Sequence, residues 1–157
     1  MKIMLFCDEK YYQNLYNYYG IYDEKENIIG SDFDRNKHYI FHINNPEYIN
    51  YAINNQDGFK NVTHVIIQKS LYQNKVLMKI LYRFKYINPD AKIIIYFDDD
   101  IIYYEVLLSR IASNNLANII TNPEELDRLF DNNFQQDLSR FVLKKETKKL
   151  LKEFNMY

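Results

Sequence analysis

The chain has 157 residues, of which 47% are apolar and 26% charged, with a net charge of −1. That size suits one domain with a complete hydrophobic core, and three glycines and three prolines exclude a loop-rich fold or a long flexible linker. A nearly neutral molecule has no strong overall pull on nucleic acid or anionic membrane.

Strands and helices are expected to alternate. Ile3 to Cys7 is a continuous apolar run, the pattern of a strand buried on both faces. It is too short for the apolar region of a signal peptide and meets acids at Asp8 and Glu9. Tyr12, Leu15, Tyr16 and Tyr19 recur at helical spacing, and Gly20 can end that helix. Residues 21–37 are polar and read as a loop, with a short strand at Ile28 and Ile29. His38 to Ile43 reads as the second strand, and Asn45-Pro46 opens a second helix whose buried face is Ile49, Ala52 and Ile53.

Asp57-Gly58 marks a turn before a third strand, Val62 to Gln68. Leu77, Ile80, Leu81 and Phe84 line a third helix that Asn88-Pro89 closes. Lys92 to Phe97 is a fourth strand, and the aspartates 98–100 behind it suit the start of the next helix. Tyr104, Leu107, Leu108 and Ile111 form that helix's inner stripe. Asn118 to Thr121 is a short fifth strand, and Asn122-Pro123 begins a helix containing Leu126, Leu129 and Phe130. A final helix is expected over residues 136–155. No stretch approaches the length of a membrane span.

Five strands, each followed by a helix, define an α/β fold with a doubly wound parallel sheet, because parallel crossovers are long and right-handed. The flavodoxin-like strand order 2-1-3-4-5 is expected. Residues 1–134 form that domain and residues 135–157 an added amphipathic basic helix, packed on the domain or on a partner. The single Cys7 makes no internal disulfide, which fits a reducing, cytoplasmic location. The wealth of Asn, Ile, Lys and Tyr is the bias expected of an AT-rich genome, and the many tyrosines can bury a ring and leave a hydroxyl wet.

Over residues 1–131 the chain resembles bacterial response-regulator receiver domains. The segment IIIYFDDDIIYYEVLLSRIASNNLANIITNPEEL carries most of the likeness. It is similar too to the degenerate receiver-like segments that precede some partition-type ATPases of pilus and conjugation systems. A working receiver has two acids after the first strand for magnesium, an aspartate after the third that accepts a phosphoryl group, a Ser or Thr after the fourth and a Lys-Pro after the fifth. That chemistry needs a carboxylate nucleophile, a hard cation and a positive charge on the phosphoryl oxygens. Matched position by position, the acid pair reads Cys7-Asp8, the acceptor Gln68, the hydroxyl Phe97 and the Lys-Pro pair Asn122-Pro123. Ser70 and Thr121 are nearby hydroxyls without the rest of the machinery. The resemblance therefore implies a pseudo-receiver that is not phosphorylated.

Other constellations each have a plainer reading. Asp8, Glu9 and the aspartates 98–100 should gather at the C-terminal edge of the sheet, where ligands bind in such folds. Asp8 and Asp98 are the candidate metal ligands, with magnesium the cofactor they would hold, against the plainer reading of helix caps and solvated turns. His38 and His42 share a strand face but have no completing ligands, and His64 is expected to make a local hydrogen bond. Cys7, on a buried strand, reads as core rather than nucleophile. There is no glycine-rich phosphate loop, HExxH, GxSxG or CxxC motif.

The C-terminal segment is the clearest positive signal. Leu143, Thr147, Leu150, Leu151 and Phe154 share one helical face, and Lys144, Lys145, Lys148, Lys149 and Lys152 the other. Residues 140–157 hold six basic and two acidic side chains, a surplus of +4, so the preceding residues carry −5. The function expected is a non-catalytic interaction or regulatory module, not an enzyme, that pairs with a protein partner or a second copy. The surface that the receiver resemblance implies for it runs from Tyr103 to Phe130 and includes Tyr104, Leu108 and Leu126, with Lys144, Lys148 and Lys152 of the C-terminal helix adding contacts. The alternatives are a divalent-metal-dependent enzyme or ligand binder at the acidic edge, and a nucleic-acid accessory protein using the lysine helix.

Overall fold

The computed structural model describes residues 2–11, 13, 39–43 and 62–155. The expectations for residues 14–38 and 44–61, and for the side chains of His38 and His42, lie outside the described residues. Five strands are present: β1 (Lys2–Phe6), β2 (Tyr39–Ile43), β3 (His64–Gln68), β4 (Lys92–Tyr96) and β5 (Asn118–Ile120). All neighbours pair in parallel, β1 lying between β2 and β3, and the order is β2-β1-β3-β4-β5. The described helices are a turn opening at Glu9, α1 (Asn74–Ile87), α2 (Glu105–Ser113), α3 (Glu125–Asp131) and α4 (Lys145–Glu153). The expected α/β class with a parallel sheet is present.

Period-two alternation sends each strand's apolar side chains to both faces of the sheet. Phe6, Val65, Ile67, Ile93, Ile95 and Ile119 meet Leu77, Leu81 and Phe84 of α1 and Leu107, Leu108 and Ile111 of α2 in one core. Leu5, Ile66, Ile94 and Ile120 meet Tyr11, Leu126 and Leu129 in the other. The stripe expected on the third helix is the one that α1 buries, since 3.6 residues per turn puts Leu77, Ile80, Leu81 and Phe84 on one side. Asn88 closes α1 twice: its N–H donates to the Phe84 carbonyl, and its side-chain amide donates to the Val62 carbonyl at 2.8 Å.

The final helix differs from expectation. The span 136–155 is not one helix: Ser139–Phe141 is a 3-10 turn, and α4 occupies only Lys145–Glu153. The break has a packing cause. The Leu143 N–H donates to the buried Ser109 hydroxyl at 3.0 Å, which pins an extended segment across α2 before a new helix can start. None of the residues of α4 is fully buried: Leu151 and Lys148 are half-buried, and Leu150 is exposed.

Candidate functional site

The C-terminal edge of the sheet is built around one amide. Gln68 ends β3 and is only 4% exposed. Its Oε1 accepts from the Asp8 backbone N–H at 2.8 Å. Its Nε2 donates to Asp8 Oδ2 at 2.9 Å and to Asp98 Oδ2 at 2.7 Å, and lies 3.2 Å from Ser70 Oγ. The two amide hydrogens therefore point at two carboxylates. Parallel pairing explains the convergence, because β1 and β4 flank β3 and all three end at the same edge.

The other contacts hold the carboxylates in place. Asp8 Oδ1 accepts from the Tyr11 N–H at 2.8 Å, so this aspartate caps the helix that opens at Glu9. Asp98 Oδ1 accepts from the Ser70 N–H at 3.1 Å, and the Ser70 hydroxyl donates to Asp98 Oδ2. Asp100 caps the 3-10 turn Ile101–Tyr104 by accepting from Ile102 N–H at 3.1 Å. Tyr104 Oη donates to Asp99 Oδ2 at 3.0 Å, and this bond, followed by desolvation and the carboxylate charges, raises the phenol's pKa.

Lys69 is the nearby cation. It is 4% exposed, its Nζ donates to the Tyr72 carbonyl at 2.9 Å, and the ammonium sits 4.8 Å from the centre of the Tyr104 ring. Burial lowers its pKa from the ordinary 10.5, while the charges of Asp98 and Asp99 oppose that shift. Tyr96 stacks on Tyr11 with ring centres 4.1 Å apart, and burial raises its phenol, helped by Asp98, Asp8 and Glu124. These rings form an apolar wall under the carboxylates.

The residues expected at the site divide. Asp8, Gln68, Asp98 and Ser70 come together. Phe97 points into the core beneath them, 1% exposed, with its ring centre 5.6 Å from that of Tyr104. Asn122 belongs to a separate cap. Its side chain exchanges hydrogen bonds with Glu125 (3.1 and 3.2 Å), and Thr121 Oγ1 donates to the same carboxylate at 2.7 Å. Asp8 and Asp98, the candidate metal pair, are bridged by the Gln68 amide, and the described residues contain no group of three or more His, Cys, Asp or Glu placed to hold a metal.

Cys7 is fully buried, and burial with the charges of Asp8 and Glu9 pushes its thiol pKa far up, the opposite of an activated nucleophile. His64 Nδ1 bonds Thr63 Oγ1 at 2.8 Å, the local hydrogen bond expected of it.

Two members of the expected interaction surface are corrected. Leu108 and Leu126 are 3% and 2% exposed, because the stripes they belong to face the two cores. Tyr104 is partly buried against Phe97, whereas Ile102 and Tyr103 beside it are 62% and 81% exposed. Lys144 and Lys152 are exposed, and Lys148 reaches Ser113 Oγ at 3.5 Å. The sequence reading missed the buried Lys69 and the link from Ser70 to Asp98. The only signal for either was the run QKS at the end of β3. No helix among the described residues is long and apolar enough to cross a membrane. No protein-family model matches the chain, and no curated protein is significantly similar to it.

Proposed function

We propose that this chain is a cytoplasmic pseudo-receiver, a five-strand flavodoxin-like domain of order 2-1-3-4-5 that works by binding another protein and does not accept phosphate. The observation that carries the reading is the bridging amide of Gln68. An amide nitrogen's lone pair is delocalised into its carbonyl, so it cannot attack phosphorus, and amide attack yields no acyl phosphate. The Nε2 hydrogens of Gln68 also fill the space between Asp8 and Asp98, where a bound cation would otherwise neutralise them. The remaining positions agree: Phe97 offers no hydroxyl, and Asn122 offers no charge and is tied to Glu125.

A domain without its own reaction retains its surface as the means of action. Ile102 and Tyr103 stand exposed at the start of the segment that runs to Phe130, and the lysine-rich α4 follows on the same chain. The test is direct. The protein is incubated with acetyl phosphate and magnesium and its intact mass is measured. Unchanged mass is expected, while the mass of one added phosphoryl group would falsify the reading.

A further inference from the structure

Three features that the amide site does not use lie close together in the chain. The first is a groove of about 530 Å³ between the loop after β4, the start of α2 and residues 140–143, the end of the 3-10 turn and the extended residues after it. Its volume is in the range of roughly 300–1,000 Å³ typical of sites that enclose a ligand. Its accessible apolar lining includes Ile102, Phe141 and Val142 above the buried Leu108, and Glu105 and Glu125 set two carboxylates against the single guanidinium of Arg140. The second is the exposed apolar pair on α4 and its C-cap, Leu150 and Phe154, which are 54% and 66% exposed. The third is the division of charge, +4 on residues 140–157 and −5 on the rest.

We infer that the occupant of this groove is α4 of a second copy of the chain, exchanged reciprocally in a two-fold dimer. This inference rests on the interaction-module reading and names the partner. The groove and the helix are complementary in both respects that govern docking. Leu150 and Phe154 supply apolar anchors for an apolar floor, and the lysines meet a body of opposite charge. Leu143 is part of the groove wall and is fixed to Ser109, and α4 begins two residues later and leaves Leu150 and Phe154 exposed, with Leu151 half-buried. A helix in this position on a second copy closes both grooves at once. The resulting assembly is a closed dimer rather than an open filament, because each copy gives one helix and receives one.

The experiment is light scattering and sedimentation equilibrium on the full chain, across concentration and salt. The wild type is expected to be a dimer that weakens as salt rises. Leu150→Asp with Phe154→Asp, both at exposed positions, should give a folded monomer with an unchanged circular dichroism spectrum. Glu105→Lys should weaken the dimer at least tenfold, and adding Lys149→Glu and Lys152→Glu should restore it, which a merely unfolded variant would not do. A wild type that stays monomeric at every concentration overturns the inference, as does a dimer untouched by the double aspartate variant. Flotation of a monomer with vesicles of phosphatidylglycerol and phosphatidylcholine, lost in the double aspartate variant, also overturns it, since the helix would then serve a lipid surface. A phosphate-free monomer sinks only the helix exchange. Phosphoryl uptake sinks the reading beneath it.

Discussion

At the scale of single residues, Gln68 is the centre of the polar chemistry at the sheet's rim. Its amide satisfies a backbone N–H and two carboxylates at once, in a position that water hardly reaches. Replacing it with an apolar residue of similar size removes the bonds it gives to the Asp8 N–H and to one oxygen of each carboxylate, and losing the partner of a largely buried polar group costs about 1–3 kcal/mol. Gln68→Leu is therefore expected to lower unfolding free energy by about 2 kcal/mol in a denaturant titration. Lys69 gives a pH signature. Its native pKa lies below 10.5, so between the native value and 10.5 the unfolded chain binds more protons and stability gains from this group as pH rises. The raised phenols of Tyr96 and Tyr104 act oppositely, since their contribution is lost from about pH 10 upward. The stability of Lys69→Met minus that of wild type should be largest near neutral pH and shrink as pH approaches 10.5. A difference that does not vary with pH contradicts a lowered lysine pKa.

At the scale of elements, a chain with so few glycines must end its helices by other means. Asn115, Asn133 and Asn155 take positive φ values of 50°, 52° and 56° just beyond α2, α3 and α4. Asparagine tolerates the left-handed region better than other residues with a Cβ. Behind α2, the N–H of Leu116 returns to the Ile111 carbonyl at 3.0 Å, which closes the turn that leads into β5. Asn115→Ala should cost about 1 kcal/mol in thermal or chemical unfolding, while Asn115→Gly should be close to neutral. The same elements show what the sequence could and could not reveal. Apolar runs such as IIIY and the stripe of α1 were legible because periodicity reports directly which face is buried. Strand ends moved by a residue or two: β3 starts at His64 rather than Val62. The broken C-terminal helix was not legible, since its cause is a bond from Leu143 to Ser109, 34 residues earlier. The convergence of Asp8 and Asp98 at the sheet edge could be read from strand order. Their bridging by Gln68 could not, because only the folded edge sets the distances.

At the scale of the whole molecule, the parallel sheet brings the ends of β1, β3 and β4 to one rim and loads that rim with carboxylates. Lys69 is the cation buried beside them, and the large basic surplus lies in the last eighteen residues. Such a division of charge favours an encounter between an acidic body and a basic helix over self-repulsion. It also sets the proposed dimer apart from binding through apolar contact alone, which salt would strengthen rather than weaken. The charged rim and the helix are separate devices, so a change in one should leave the other's behaviour intact.

The central claim concerns the rim, and nuclear magnetic resonance can follow it atom by atom. The side-chain amide signals of Gln68 are recorded while magnesium and beryllofluoride, a mimic of a transferred phosphoryl group, are added together. Those signals are expected to stay in place, because the amide already holds both carboxylates and its neutral oxygen, bonded to the Asp8 N–H, is not the anionic oxygen that the mimic joins. Saturable displacement of the Gln68 signals, together with the backbone signals of Asp8 and Asp98, would contradict it.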